Sequence, residues 1–88
     1  MNTMINRTRP PLAPQQQKVL VLIAQGYTNN EIMALLNIAR ATVTTHIATI
    51  IRKTGIKSRV LLAFYALAQG IVTQDDIKDA IKRDRRQG

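Results

Sequence analysis

The sequence has no cysteine and no tryptophan, and its aromatic residues are Tyr27, Phe64 and Tyr65. Without cysteine, neither a disulfide nor a thiolate metal site is there to stabilise so small a chain, a composition suited to a reducing cytosol. The aromatics are too few for a basic amphipathic helix that lies on a membrane. His46 is the single histidine, and the acids are split between Glu31 and the tail residues Asp75, Asp76, Asp79 and Asp84. No nucleophile–base pair and no metal cluster arises from such a set, so neither catalysis nor a cofactor is expected. Long apolar runs are missing as well. The longest, residues 60–68, is far short of the roughly 20 residues that a membrane span needs. Residues 1–17 carry Arg7 and Arg9 with no apolar stretch behind them, which is unlike a secretory signal. Together these absences predict a cytoplasmic chain with no membrane partner.

What is present is a single domain's worth of sequence with an excess of positive charge. A chain of 88 residues buries only roughly 60% of its unfolded surface, so its stability margin is thin. The hydrophobic fraction of 45% is that of a globular fold. The net charge is +8, and its location matters more than its size. Residues 39–59 hold Arg40, Arg52, Lys53, Lys57 and Arg59 and no acid, whereas residues 73–88 hold five bases and four acids. A solvated basic face would have the same composition. Concentration of the charge in one stretch favours a polyanion partner, most commonly nucleic acid.

The punctuation predicts an all-α chain. Residues 1–11 read as a flexible basic arm closed by Pro10-Pro11. A first helix over 14–25 opens with Pro14, whose missing N–H costs nothing there, and stops at Gly26. Thr28 and Glu31 form a capping box for a short second helix over 29–36, and Asn37 suits the left-handed stop. A third helix over 40–54 gathers Val43, Ile47, Ile50 and Ile51 within an arc of about 100°. Its opposite face carries Ala41, Thr45, Ala48, Thr49 and Arg52, with Thr44 at one margin and Thr42 and Lys53 at the other. A short helix, a tight turn and a longer helix with small residues outside is the plan of a helix-turn-helix.

The fourth helix, over 58–69, is apolar all the way round from Val60 to Ala68. Such a helix must be covered on more than one side. The arm and the final helix are one source of cover; a second subunit is the expected one, through Leu61, Leu62, Tyr65, Ala66 and Gln69. Residues 73–88 read as a short extra helix and frayed tail, with acids in its first turn and Lys82 and Arg83 in its last. Its stripe of Ile77, Ala80 and Ile81 is expected to dock on the fourth helix or on a partner protein, and Arg85 to Gly88 to fray.

Short side chains on the third helix let a backbone approach base edges. Thr44, Thr45, Ala41 and Ala48 meet that need, since Thr hydroxyls and Thr or Ala methyls contact bases and thymine methyls. Arg40 flanks the helix start and is the best candidate for reaching a guanine or a phosphate. Asn and Gln are absent from this face, so specificity leans on methyl contacts and DNA shape. His46, Arg52, Lys53, Lys57, Ser58 and Arg59 are the flanking candidates for phosphate, with Thr28, Asn29 and Asn30 at the amide-rich start of the second helix. Arg7 and Arg9 are of the kind that enters a minor groove as a mobile arm.

The order of these pieces resembles the LuxR-type (GerE-like) helix-turn-helix domain of bacterial transcription regulators. The resemblance spans residues 12–72 and rests on Leu12-Ala13-Pro14, residues 19–26, Thr28-Asn29-Asn30-Glu31-Ile32, residues 42–47, residues 51–55 and Lys57-Ser58-Arg59. It implies a four-helix domain whose third helix enters the major groove and whose fourth makes a dimer. It also implies base contacts at Thr44, Thr45 and Ala48 and phosphate contacts at Asn30, His46, Arg52, Lys53 and Arg59. The sequence departs from the family's pattern at Ala13, at Gln15-Gln16-Gln17-Lys18, at Ala39, where a serine cap is usual, and at Thr44, where a lysine is usual. Two lost caps cost about 1 kcal/mol each.

The resulting expectation is a stand-alone, homodimeric transcriptional regulator that binds an inverted repeat in double-stranded DNA, without the receiver or ligand-binding domain usual in the family. A second reading is a protein–protein module that pairs with a larger LuxR-type regulator through the fourth helix and silences it.

Overall fold

The computed structural model describes residues 11–87, so the arm with Arg7 and Arg9 lies outside the described residues. Among the described residues five helices follow one another: α1 (Pro14–Ala24), α2 (Asn29–Leu36), α3 (Arg40–Thr54), α4 (Arg59–Ala68) and α5 (Gln74–Gln87). No strand occurs among the described residues. The described part of the chain is all-α, a four-helix core with one further helix at its C-terminal end.

Local chemistry places each boundary. Pro14 opens α1, and Gly26 (φ 90°) closes it as Gly26 N–H donates to the Ile23 carbonyl and Tyr27 N–H to that of Leu22. That pair of bonds is the Schellman arrangement, in which a left-handed residue satisfies the last carbonyls of a helix. Thr28 Oγ1 accepts from Glu31 N–H at 3.2 Å while Thr28 N–H donates to Glu31 Oε1 at 2.8 Å, completing the capping box of α2. Asn37 turns the chain at φ 55°, and α2 and α3 meet at 111°, within the roughly 90–120° range of a helix-turn-helix. α3 stops at Gly55 (φ 75°).

The cap expected to be missing at Ala13 is half replaced. Alanine offers no acceptor to the α1 amides, but Ala13 N–H donates to Gln16 Oε1 at 2.9 Å. Ala39, before α3, has no side-chain cap.

One core joins α1 to α2, α3 and α4. Val19, Leu20, Ile23 and Ala24 supply its α1 side, against Ile32, Val43, Ile50, Leu62, Ala66 and Val72. Each fully buried aliphatic side chain contributes roughly 1.5–3 kcal/mol by leaving water. Among the described residues the one buried polar residue is Thr54, and it is satisfied: its Oγ1 donates to the Ile50 carbonyl at 2.8 Å and accepts from Ile56 N–H at 3.1 Å.

Two expectations change. Leu62 and Ala66 are 1% and 0% exposed inside this core, so they face α1 rather than a second subunit. The apolar pattern of α4 contained both the core row and the exposed rows, and periodicity alone did not separate them. The second change concerns α5, a helix of 14 residues that reaches Gln87. It docks on α1 and on the turn at Gly26 rather than on α4.

Candidate nucleic-acid interface

α3 turns Val43 and Ile50 into the core and leaves Arg40, Ala41, Thr42, Thr44, Thr45, Ala48 and Arg52 exposed. The outer row therefore consists of small side chains, with a guanidinium near each end. Thr49 and His46 are half-buried at its margins. Short side chains expose the helix backbone to close approach by a flat partner, which suits the edges of bases in a groove.

The start of α2 meets the start of α3 through one hydrogen bond, from Arg40 Nη2 to Asn30 Oδ1. A base-contact candidate and a phosphate-contact candidate are thus held together. Arg59 joins the same edge, because its Nη2 donates to the Tyr27 carbonyl at 3.0 Å, one residue before the α2 cap. Partial burial lowers the pKa of Arg59 from the ordinary guanidinium value. Ser58 caps α4 by accepting from Leu61 N–H at 3.2 Å, and both Ser58 and Lys57 are exposed. Asn29 is half-buried and its Oδ1 is enclosed without a protein partner.

Lys53 belongs to the other end of α1. Its Nζ donates to Gln16 Oε1 at 2.9 Å and to the Pro11 carbonyl at 3.0 Å. These candidate residues consequently bracket α1, whose 11 residues span about 16 Å. Thr28, Asn30, Arg40 and Arg59 gather at one end and Lys53 at the other. Gln16 ties Lys53 to the same amide it caps. That role was not visible in the sequence, because Gln16 and Lys53 are 37 residues apart.

On α4, Leu61 (52% exposed) and Gln69 remain open to solvent and Tyr65 is half-buried. A different row, Val60 and Phe64, faces α5 across an apolar groove of about 770 Å³ floored by Ile23 and Ala24, with Ile77, Ala80 and Ile81 opposite. No group of acidic or histidine side chains suited to a metal ion occurs among the described residues, and no single helix there is long and apolar enough to cross a membrane.

The family model for bacterial regulatory proteins of the luxR family matches residues 10–66, which takes in α1 to α3 and most of α4. The chain belongs to the luxR family. Members of this family are non-catalytic, DNA-binding regulators of transcription. The LuxR-type domain is 36% identical over 74 residues to the transcriptional regulatory protein MctR of Rhizobium johnstonii, covering 84% of this chain and 35% of that protein. It is 30% identical over 64 residues to the probable transcriptional regulator ycf29 of Pyropia yezoensis, covering 73% of this chain and 29% of that one. It is 33% identical over 61 residues to the response regulator protein VraR of Staphylococcus aureus, covering 69% and 29%. The chain thus spans about a third of the length of these relatives. No solved structure matches it. The match leaves α5 outside the matched region.

Proposed function

We propose that this LuxR-type domain acts as a homodimeric transcriptional regulator in the bacterial cytoplasm, on the nucleoid when bound. Each protomer lays α3 in the major groove of one half of an inverted repeat. The observation that carries this reading is the exposed row Ala41, Thr44, Thr45 and Ala48, flanked by Arg40 at its start. Methyl and hydroxyl groups of this size contact thymine methyls and base edges directly. Thr28, Asn29, Asn30, His46, Arg52, Lys53, Lys57, Ser58 and Arg59 hold the phosphates on either side and set the register. Leu61, Tyr65 and Gln69 are the exposed part of the dimer surface on α4, and the half-sites lie about one helical turn apart.

Selection from a random duplex library tests the proposal. Enrichment of an inverted repeat, with binding abolished in Thr45→Glu, is the expected result; a carboxylate in that row faces the bases without a partner. Equal, steeply salt-dependent binding to selected and shuffled duplexes overturns the sequence-specific reading.

A second reading is favoured by the exposed apolar side chains of α4, Leu61, Val60 and Phe64. There the domain pairs with a larger LuxR-type regulator and silences it. Thr45→Glu leaves that activity intact, which separates the two.

A further inference from the structure

The charge of α5 is segregated along its length. Its first half holds Asp75, Asp76 and Asp79 with Lys78; its last holds Lys82, Arg83, Arg85 and Arg86 with Asp84. The helix dipole favours cations at a C-terminus, but it is indifferent to what lies beside them. What lies beside them here is the edge that carries the start of α2. Arg83 is stacked over the Tyr27 ring, 3.9 Å from its centroid, and its Nε donates to the Gln25 carbonyl at 2.9 Å. Arg59 donates to the carbonyl of the same Tyr27. Asp84 lines the groove with Arg59, Thr28 and Asn29. The C-terminal end of α5 is thereby held at the edge where α2 and α4 begin. Lys82 and Arg85 on this end are exposed and make no hydrogen bond or ion pair among the described residues.

We propose that the C-terminal end of α5 is a second phosphate-binding surface, in which Lys82 and Arg85, positioned by Arg83 on Tyr27, contact the DNA backbone beside the half-site read by α3. The inference rests on the DNA-binding reading. These contacts add affinity and lengthen the footprint without adding sequence information. They also give the helix beyond the family match a role that a bare LuxR-type domain lacks.

The test is the salt dependence of binding to a random-sequence 30-base-pair duplex, with the full chain. Lys82→Gln/Arg85→Gln is compared with Lys18→Gln/Lys78→Gln, which removes the same charge from α1 and from the acidic first half of α5. Removing one cation that touches a phosphate lowers the slope of log K against log salt by about 1. The expected result is a slope smaller by about 2 in the first pair and unchanged in the second, with binding weakened several-fold at low salt. Equal slopes in the two pairs overturn the proposal. A measurement on the wild type is independent of variant folding: Lys82 is expected to be shielded from acetylation by the duplex while Lys18 stays reactive. Lys82 equally reactive with and without DNA overturns the proposal. No binding by the wild type at any salt sinks both this proposal and the reading beneath it, whereas wild-type binding with unaltered variants sinks this one alone.

Discussion

Gly26 and Ala80 are in backbone contact: a Cβ placed on Gly26 lies 2.7 Å from the Ala80 Cα. The same glycine has φ +90°, the left-handed conformation that closes α1. One residue therefore ends the first helix and provides the seat for the last.

Gly26→Ala is penalised twice, by the left-handed backbone and by the collision with α5. A non-glycine residue in that conformation costs about 1–3 kcal/mol, and Ala80 leaves no space to relax. The expected result is a fall in thermal midpoint of several degrees, since about 1 kcal/mol corresponds to 4–8 °C in a domain of this size. The same substitution at Gly70 meets no atom within 4 Å, so it carries the backbone penalty only and is the milder of the two. Thermal unfolding of both variants checks the difference.

Arg83 and Tyr27 are coupled through their stacking. A cation over an aromatic face is worth about 0.5–2 kcal/mol depending on exposure. A double-mutant cycle with Arg83→Met and Tyr27→Leu, read by urea unfolding, is expected to return a coupling energy in that range. Additive effects would show that Arg83 is held by its bond to Gln25 alone.

Asp76 makes the docking of α5 sensitive to acid. Its carboxylate accepts from Gln25 Nε2 at 2.7 Å and from Thr73 N–H at 2.9 Å and Oγ1 at 3.2 Å. These bonds, the one from Gln25 first, hold its pKa below the ordinary value against the opposing effect of partial burial. A carboxyl with a lower pKa folded than unfolded stabilises the fold above the unfolded value, near 3.9, and that contribution is lost as pH falls through the folded value. Wild-type stability is expected to exceed that of Asp76→Asn at neutral pH and to converge on it below about pH 4. Thermal midpoints measured from pH 7 to pH 2 check this, and a constant gap between the two curves would exclude it.

Leu61 and Leu62 are neighbours in sequence with opposite surroundings, 52% and 1% exposed. Leu62→Ala empties part of the core and costs about 2–5 kcal/mol, a large share of the stability of a chain this small. Leu61→Asp leaves the protomer folded and, on the dimer proposal, shifts sedimentation toward the monomer. A folded dimer in Leu61→Asp would remove the α4 interface from the proposal.

The helix-turn-helix was legible because its signals are short-range. Thr28, Glu31, Asn37 and Gly55 act within a turn of where they stand; α2 begins and ends, and α3 ends, at the residues they mark. The exposed row of α3 was legible for the same reason, since a 3.6-residue period identifies one face once the apolar face is known. In α4 the apolar face is not distinct from the rest. With every residue from Val60 to Ala68 apolar, no period distinguishes Leu62 and Ala66, which pack on α1, from Leu61 and Phe64, which do not.

Helix order, the limits of α2, the exposed small-residue row of α3 and the basic stretch around it were written in residues a few positions apart, where caps, turns and periodicity act. The seat of α5 was not. It depends on Gln25 meeting Asp76 and on Gln25 and Tyr27 meeting Arg83, groups 51 to 58 residues apart that gain nothing from one another until the core has formed. Only the packing of α1 against α3 and α4 presents Gly26 as a bare patch of backbone for α5 to lie on. That is why the placement of the basic C-terminal end beside the start of α2 had to come from the tertiary structure.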